Sequence, residues 1–239
     1  MNLYQLVVAL NNRGASSLQK DCKGSSSLFQ AALELVVAAL GEAELFQSIT
    51  APFDIAFEPL ISYLDAHERS FLETTPIIEE NAFVRGIILN SSPTGYSQNP
   101  RTSFEVASAI VIFNLAVASH REVLTVQDLV AEKKARHAKT IYLKCLESFN
   151  EIGISLIRSS RHEVIDIVIM AVFNNLAQIS YVLSNFEAAS TYFTLLQAFA
   201  DTVHTHWYGE RSACILNWHK TVFYLNATFM RAPSAASAA

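Results

Sequence analysis

The chain has 239 residues, of which 51% are apolar and 16% are charged, so a large share of it must lie inside a folded core. Its formal net charge of −5, without a dense block of lysine and arginine, disfavours binding to nucleic acid. Seven glycines and six prolines are few for this length, which disfavours an all-β fold with many tight turns.

The cysteines and the apolar runs bear on location. Cys22, Cys145 and Cys214 are far apart and form no CxxC pair, so neither a disulfide framework nor a thiolate zinc site is expected. The first residues have no basic segment of the kind that begins a signal peptide, and the longest apolar runs, 107–118 and 164–173, are shorter than a bilayer-spanning helix. We therefore expect an intracellular, cytoplasmic protein with no membrane span.

Apolar periodicity and capping signals predict helices along most of the chain. In 28–40 the apolar residues recur at i, i+3, i+4 and i+7, with Ser27 near the start and Gly41 at the end. In a Ser/Thr-x-x-Glu sequence, a hydroxyl and a carboxylate bind the free N–H groups of a helix's first turn. Sequences of this kind predict further helix starts near 103, 161 and 185.

Residues 42–101 interrupt the helical pattern. They contain five of the six prolines, so a helix through them would be broken repeatedly. We predict a long, partly extended insertion with a short helix near 59–71 and a hairpin-like pairing of 53–57 with 83–89. An insertion of this length either covers one edge of the core or is a functional loop.

One short pattern recurs in the helical part of the sequence. An asparagine stands two residues before a glycine or an alanine, inside an otherwise apolar run. A small residue lets a neighbouring helix approach closely, and large residues fill the gaps between helices. The three copies are Asn12 with Gly14, Asn114 with Ala116, and Asn175 with Ala177.

The stretch 170–203 resembles a tetratricopeptide repeat. The matching features are Leu176 and Ala177 on a first helix, Leu183 before a turn, Phe186 after it, and Ala189 followed by aromatic residues on a second helix. The resemblance extends to 106–149 and to 5–40, and a last helix at 214–230 repeats the asparagine at Asn217. It implies an all-α array of antiparallel helix pairs, each of which buries one face against the next pair.

The predicted organisation is a single tetratricopeptide-like helical domain over 1–239. Residues 42–101 are the insertion that does not belong to the repeats. The last residues, 231–239, begin with an arginine, an alanine and a proline and then hold only small side chains, so we expect a loose tail.

The sequence contains no catalytic motif at a diagnostic spacing, and we expect no enzymatic activity, cofactor or metal. The candidate metal ligands are His204, His206, His219 and Glu210. His204 and His206 are two residues apart, which places them on different faces of a helix, so a loop between repeats is the preferred interpretation.

The recurring asparagines allow two interpretations. Each buried amide could bond a neighbouring helix, because an unpaired one costs about 1–3 kcal/mol. Alternatively, the amides could form a ladder along a groove and pair with the backbone of an extended peptide. The resemblance implies the second role, since tetratricopeptide proteins hold peptides with such asparagines. The candidate partner-binding residues are Asn12, Asn114, Asn175, Gln178 and Asn217.

A C-terminal carboxylate is not the expected ligand, because the carboxylate-clamp members of that family place a lysine or arginine beside their asparagines and Arg13 is the nearby cation here. We therefore predict a non-enzymatic interaction scaffold that binds a protein or peptide in a helical groove. The alternative is a ligand-binding or regulatory sensor whose pocket is closed by residues 50–101.

Overall fold

A computed structural model describes residues 3–18, 21–41, 78–79, 82–83, 86–87, 89, 100–125, 129–152 and 163–206. These residues form helices and one short hairpin. The helices are α1 (Leu3–Ser17), α2 (Cys22–Gly41), α3 (Pro100–Leu124), α4 (Leu129–Ile152), α5 (Glu163–Val182) and α6 (Phe186–His206). The all-α prediction is confirmed for this part of the chain.

The helix boundaries follow the local signals to within a few residues. Helix α2 ends at Gly41 as predicted but begins at Cys22, ahead of Ser27. Helix α3 begins at Pro100. A proline is tolerated in the first turn of a helix, because the N–H group that it lacks would have no partner within the helix. The β-branched run 164–173 lies in α5 and is helical, as predicted.

The turn between α5 and α6 is fixed by backbone hydrogen bonds. Ser184 has a φ of 56°, and the N–H groups of Ser184 and Asn185 donate to the carbonyls of Tyr181 and Ser180 at 2.9 and 2.8 Å. The side chain of Asn185 then accepts from the Ala188 N–H at 3.0 Å. The cap of α6 is therefore Asn185, one residue after the serine of the predicted capping sequence.

Helices that follow each other in the chain pack against each other, from α1 through to α6. In addition, α1 contacts α3 and α3 contacts α5, so α1, α3 and α5 lie next to one another in that order. Small residues permit the close packing. A Cβ atom on Gly14 would lie 2.6 Å from the Cε1 atom of Phe29 in α2, and Ala116 and Ala177 are completely buried.

Three of the described residues of the insertion belong to the core. The hairpin pairs β1 (Ile78–Glu79) with β2 (Ala82–Phe83) in antiparallel register, and β2 packs against α5. Phe83, Ile87 and Leu89 are each 1% exposed. The predicted strand at 53–57, the short helix at 59–71 and the tail at 231–239 lie outside the described residues.

The expectation of no membrane span is wrong. Three helical stretches are long and apolar enough to cross a membrane by length and composition: Cys22–Gly41, Phe104–Leu124 and Ile165–Val182. Counting only uninterrupted apolar runs in the sequence underestimated the length of these apolar helices. A spanning helix tolerates scattered Asn, Ser and His when its mean hydropathy is high and its charges are few. The expectation of a cytoplasmic location is corrected for the same reason.

Candidate functional site

The asparagines predicted from the sequence converge on one segment of the insertion. We call the described residues Ala82, Phe83, Gly86, Ile87 and Leu89 the inserted segment, and Asn12, Asn114 and Asn175 the asparagine row. Helices α1, α3 and α5 each contribute one member of the row. The side chains of the row bind the main chain of Leu89, Ile87 and Phe83 respectively.

The middle contact has the simplest geometry. The Ile87 N–H donates to the Asn114 Oδ1 at 2.6 Å, and the Asn114 Nδ2 donates to the Ile87 carbonyl at 2.7 Å. One side-chain amide therefore satisfies both main-chain groups of one residue. Two residues in an antiparallel sheet exchange hydrogen bonds in the same way, so Asn114 takes the place of a partner strand.

The outer two contacts repeat this pattern. The Phe83 N–H donates to the Asn175 Oδ1 at 2.7 Å, and the Asn175 Nδ2 donates to the Phe83 carbonyl at 2.8 Å. At the other end, the Leu89 N–H donates to the Asn12 Oδ1 at 2.7 Å, and the Asn12 Nδ2 donates to the Leu89 carbonyl at 2.6 Å. The inserted segment thus crosses α5, α3 and α1 in that order.

Two more asparagines, which the sequence analysis did not single out, orient the row. The Asn11 Nδ2 donates to the Ile87 carbonyl at 2.9 Å and to the Asn12 Oδ1 at 3.1 Å, while the Asn11 Oδ1 accepts from the Asn114 Nδ2 at 2.7 Å. On α5, the Asn174 Nδ2 donates to the Asn175 Oδ1 at 3.1 Å. The sequence feature that could have revealed these two residues is the Asn-Asn doublet that occurs on both α1 and α5.

Tyr142 on α4 completes the α5 end of the row. Its hydroxyl accepts from the Asn175 Nδ2 at 2.7 Å, and its ring centroid lies 6.3 Å from that of Phe113. Burial raises the pKa of Tyr142 above its usual value, against a smaller opposing effect of the Asn175 hydrogen bond. The phenol therefore stays protonated at neutral pH, and the described row contains no charged group.

Phe83 and Gly86 of the inserted segment also contact the helices closely. The Phe83 ring centroid lies 6.0 Å from that of Phe113 on α3. A Cβ atom on Gly86 would lie 2.8 Å from the Cβ and 2.9 Å from the Cα of Ala15 on α1, so only a residue without a side chain fits there. These contacts fix which residue of the segment faces which asparagine.

Burial makes these hydrogen bonds obligatory. Asn11, Asn114 and Asn175 are completely buried, and Asn12 is half-buried. A buried amide left unpaired costs about 1–3 kcal/mol. The row therefore pairs with a peptide backbone that belongs to this chain, and the Asn11–Asn114 bond joins two helices, whereas binding of a partner segment stays a prediction.

The remaining candidate residues differ from the row. Gln178 is 7% exposed, and its Nε2 has no hydrogen-bond partner among the described residues. Asn217 lies outside the described part of the chain. Within the described ranges, no group of three or more His, Cys, Asp and Glu side chains could hold a metal ion. Of the ligands considered from the sequence, His204 and His206 lie in the last turn of α6, so the loop expected there is wrong for these two residues, and Glu210 and His219 lie outside the described residues.

Cys145, on the same helix as Tyr142, is not an activated nucleophile. The thiol of Cys145 on α4 is buried and donates to the Ala109 carbonyl at 3.4 Å. Burial raises the pKa of this thiol, whereas a reactive cysteine needs a lowered one. An open depression of about 610 Å³ lies on α4 alone, lined in part by Leu143 and Glu147, and not against the inserted segment.

No family model, curated protein or solved structure matches this chain. The resemblance to the tetratricopeptide repeat therefore stays a prediction from the sequence.

Proposed function

We propose that the asparagine row is a binding site for the main chain of a non-helical peptide segment, and that the protein is a non-enzymatic scaffold that binds such a segment of a partner protein. The supporting observation is the repeated two-point contact, in which each amide donates to and accepts from one residue of the inserted segment. Contacts of this kind use groups that every residue except proline possesses, so a second chain can supply them as well as this one.

The chemistry of the row favours an internal segment of a partner over a chain terminus. A neutral amide matches a main-chain N–H and carbonyl, whereas a terminal carboxylate needs a cation. The cation nearest in sequence, Arg13, is exposed and is not part of the row.

Gln178, on the same helix as Asn175, has a side-chain hydrogen-bond donor without a partner among the described residues. It follows Asn175 by three residues, which places both on the same side of α5. Its buried Nε2 lacks a hydrogen-bond partner among the described residues, and burial of an unpaired amide is unfavourable. A partner segment longer than the inserted segment would satisfy this group.

The architecture that we propose is an array of antiparallel, tetratricopeptide-like pairs, α1 with α2, α3 with α4, and α5 with α6. The contacts of α1 with α3 and of α3 with α5 support it, because the first helices of stacked pairs are neighbours in such an array. Equivalent positions on those helices would then face one groove, which explains why the same residue type recurs. The described residues Phe83, Ile87 and Leu89 of the insertion pair with the asparagine row, and this supports the scaffold over the sensor.

Photocrosslinking tests this function directly. The probe is a peptide of residues 78–91 with a photoreactive phenylalanine analogue at the Phe83 position, added to the full chain and mapped by mass spectrometry. We expect crosslinks on α3 next to Phe113, which the Phe83 ring faces, and on α5 next to Asn175, which binds the Phe83 main chain. The matched control is the same peptide with an N-methyl group on the Ile87 nitrogen, which removes the donor to Asn114 and should abolish most of the signal. Crosslinks spread over the helices, or insensitive to N-methylation, would contradict main-chain recognition in the row.

A further inference from the structure

The occupant of the row is linked to the helices through long stretches of chain. Residues 42–77 connect α2 to the hairpin, and residues 90–99 connect Leu89 towards α3. Ten residues reach at most about 33–36 Å when fully extended. By sequence length alone, the inserted segment can therefore leave the row while both ends stay attached.

The side chains of the inserted segment define what the row accepts. Phe83, Ile87 and Leu89 are buried to 1% exposure, so each position takes a large apolar side chain. At Gly86 the contact with the Cα atom of Ala15 leaves no room for a side chain. A main-chain site alone would accept any sequence, and these positions add the selectivity.

We propose that the inserted segment is a built-in competitor for the row, and that the partner is a non-helical protein segment with the same pattern. The pattern is a large apolar residue, a glycine three residues later, and apolar residues four and six positions after the first. This inference rests on the proposed function, because it assumes that the row binds a segment in trans. The internal copy keeps the row filled until a partner with this pattern displaces it.

Competition of this kind has a defined thermodynamic consequence. The apparent dissociation constant for a partner segment equals the intrinsic constant divided by the fraction of molecules whose row is empty. A substitution that loosens the internal segment raises that fraction, and so it tightens binding of a partner without any new contact.

Gly86→Ala is the loosening substitution, because its Cβ atom would collide with α1 backbone. Gly41→Ala is the matched control, since no described residue lies within 4 Å of the added atom. Fluorescence anisotropy measures binding of a labelled 78–91 peptide to each full-length chain, and circular dichroism checks that each chain is folded. We expect the Gly86→Ala chain to bind at least about tenfold more tightly than the wild-type and Gly41→Ala chains. The peptide with its own Gly86→Ala change should bind more weakly to all of them.

The possible outcomes separate the inference from the function beneath it. Equal, saturable binding by the wild-type and Gly86→Ala chains overturns the competitor and leaves the binding function in place. No binding by a folded Gly86→Ala chain overturns both. If that chain does not fold, Leu89→Ala replaces it, because removing a buried side chain weakens the α1 end of the segment without adding a clash.

Discussion

The asparagine row and the outer face of α4 hold polar side chains in two different ways. In and around the row, hydrogen bonds join residues as far apart in sequence as Asn11 and Asn114, 103 positions, and Asn11, Asn114 and Asn175 are completely buried. On α4, Arg136 binds Glu132, four residues away, and both side chains are at least half exposed. Loss of a bond in the row strands a buried partner, whereas water replaces a bond on α4. The row therefore specifies the position of the inserted segment, and the α4 ion pair does not specify anything beyond its own helix.

The largest expected effect is at the centre of the row. Asn114→Ala leaves the Ile87 N–H without its acceptor and the Asn11 Oδ1 without its donor. Each stranded group should lower the free energy of unfolding by about 1–3 kcal/mol. Urea denaturation measures the loss, and Asn150→Ala on the exposed face of α4 is the matched control. If Asn114→Ala is as stable as Asn150→Ala, the row does not hold the inserted segment.

An isosteric substitution tests the hydrogen-bond donor role of Asn114 in the row. Asn114→Asp keeps the acceptor for the Ile87 N–H but places a carboxylate against the Ile87 carbonyl. Burial raises the pKa of the introduced carboxyl group in the folded state above its unfolded value, so the folded protein binds the proton more strongly. The deficit relative to the wild type should therefore be largest above the folded-state pKa and should shrink as the pH falls. Melting curves of both chains in the same buffers measure it, and a deficit independent of pH would show that the donor role of Asn114 is unimportant.

A smaller effect is expected at the α1 end. Asn12 makes the same two-point contact with Leu89 but is half-buried, so water can reach part of it after substitution. Asn12→Ala should lower the free energy of unfolding by about 1 kcal/mol, less than Asn114→Ala does. Urea denaturation ranks the two variants, and a greater loss at Asn12 would mean that the segment is held mainly at its end.

The smallest effect is expected on α4. Arg136→Ala removes an exposed pair between residues four apart on one helix, and such pairs contribute less than about 0.5 kcal/mol. A melting temperature equal to that of the wild type would support the difference between the row and α4. A loss of stability as large as that of Asn114→Ala would contradict it.

The sequence predicted the parts of the fold that depend on local chemistry. Gly41 ends a helix, and Gly14 lies where α2 comes too close for a side chain. Asn12, Asn114 and Asn175 were recognised because each stands in the same local pattern, and main-chain pairing was one of the two roles considered for them.

The rest depended on contacts between distant residues. That the paired backbone is that of Phe83, Ile87 and Leu89 of the same chain follows from packing across three helices, which no local pattern encodes. The roles of Asn11 and Tyr142 were missed for the same reason, since each becomes relevant only when α1, α3, α4 and α5 come together. The capacity of three helices to span a membrane was missed because it depends on mean hydropathy over a whole helix rather than on an unbroken apolar run.

Amide hydrogen exchange tests the central claim most directly, because it reports on the main-chain groups that the asparagines bind. The account predicts that the amides of Phe83, Ile87 and Leu89 in the wild-type chain exchange at least about a hundredfold more slowly than unprotected amides, like those in the buried parts of α3 and α5. NMR or mass spectrometry of the full chain measures these rates. Exchange of the Ile87 amide at the unprotected rate, while the helices stay protected, would contradict the account.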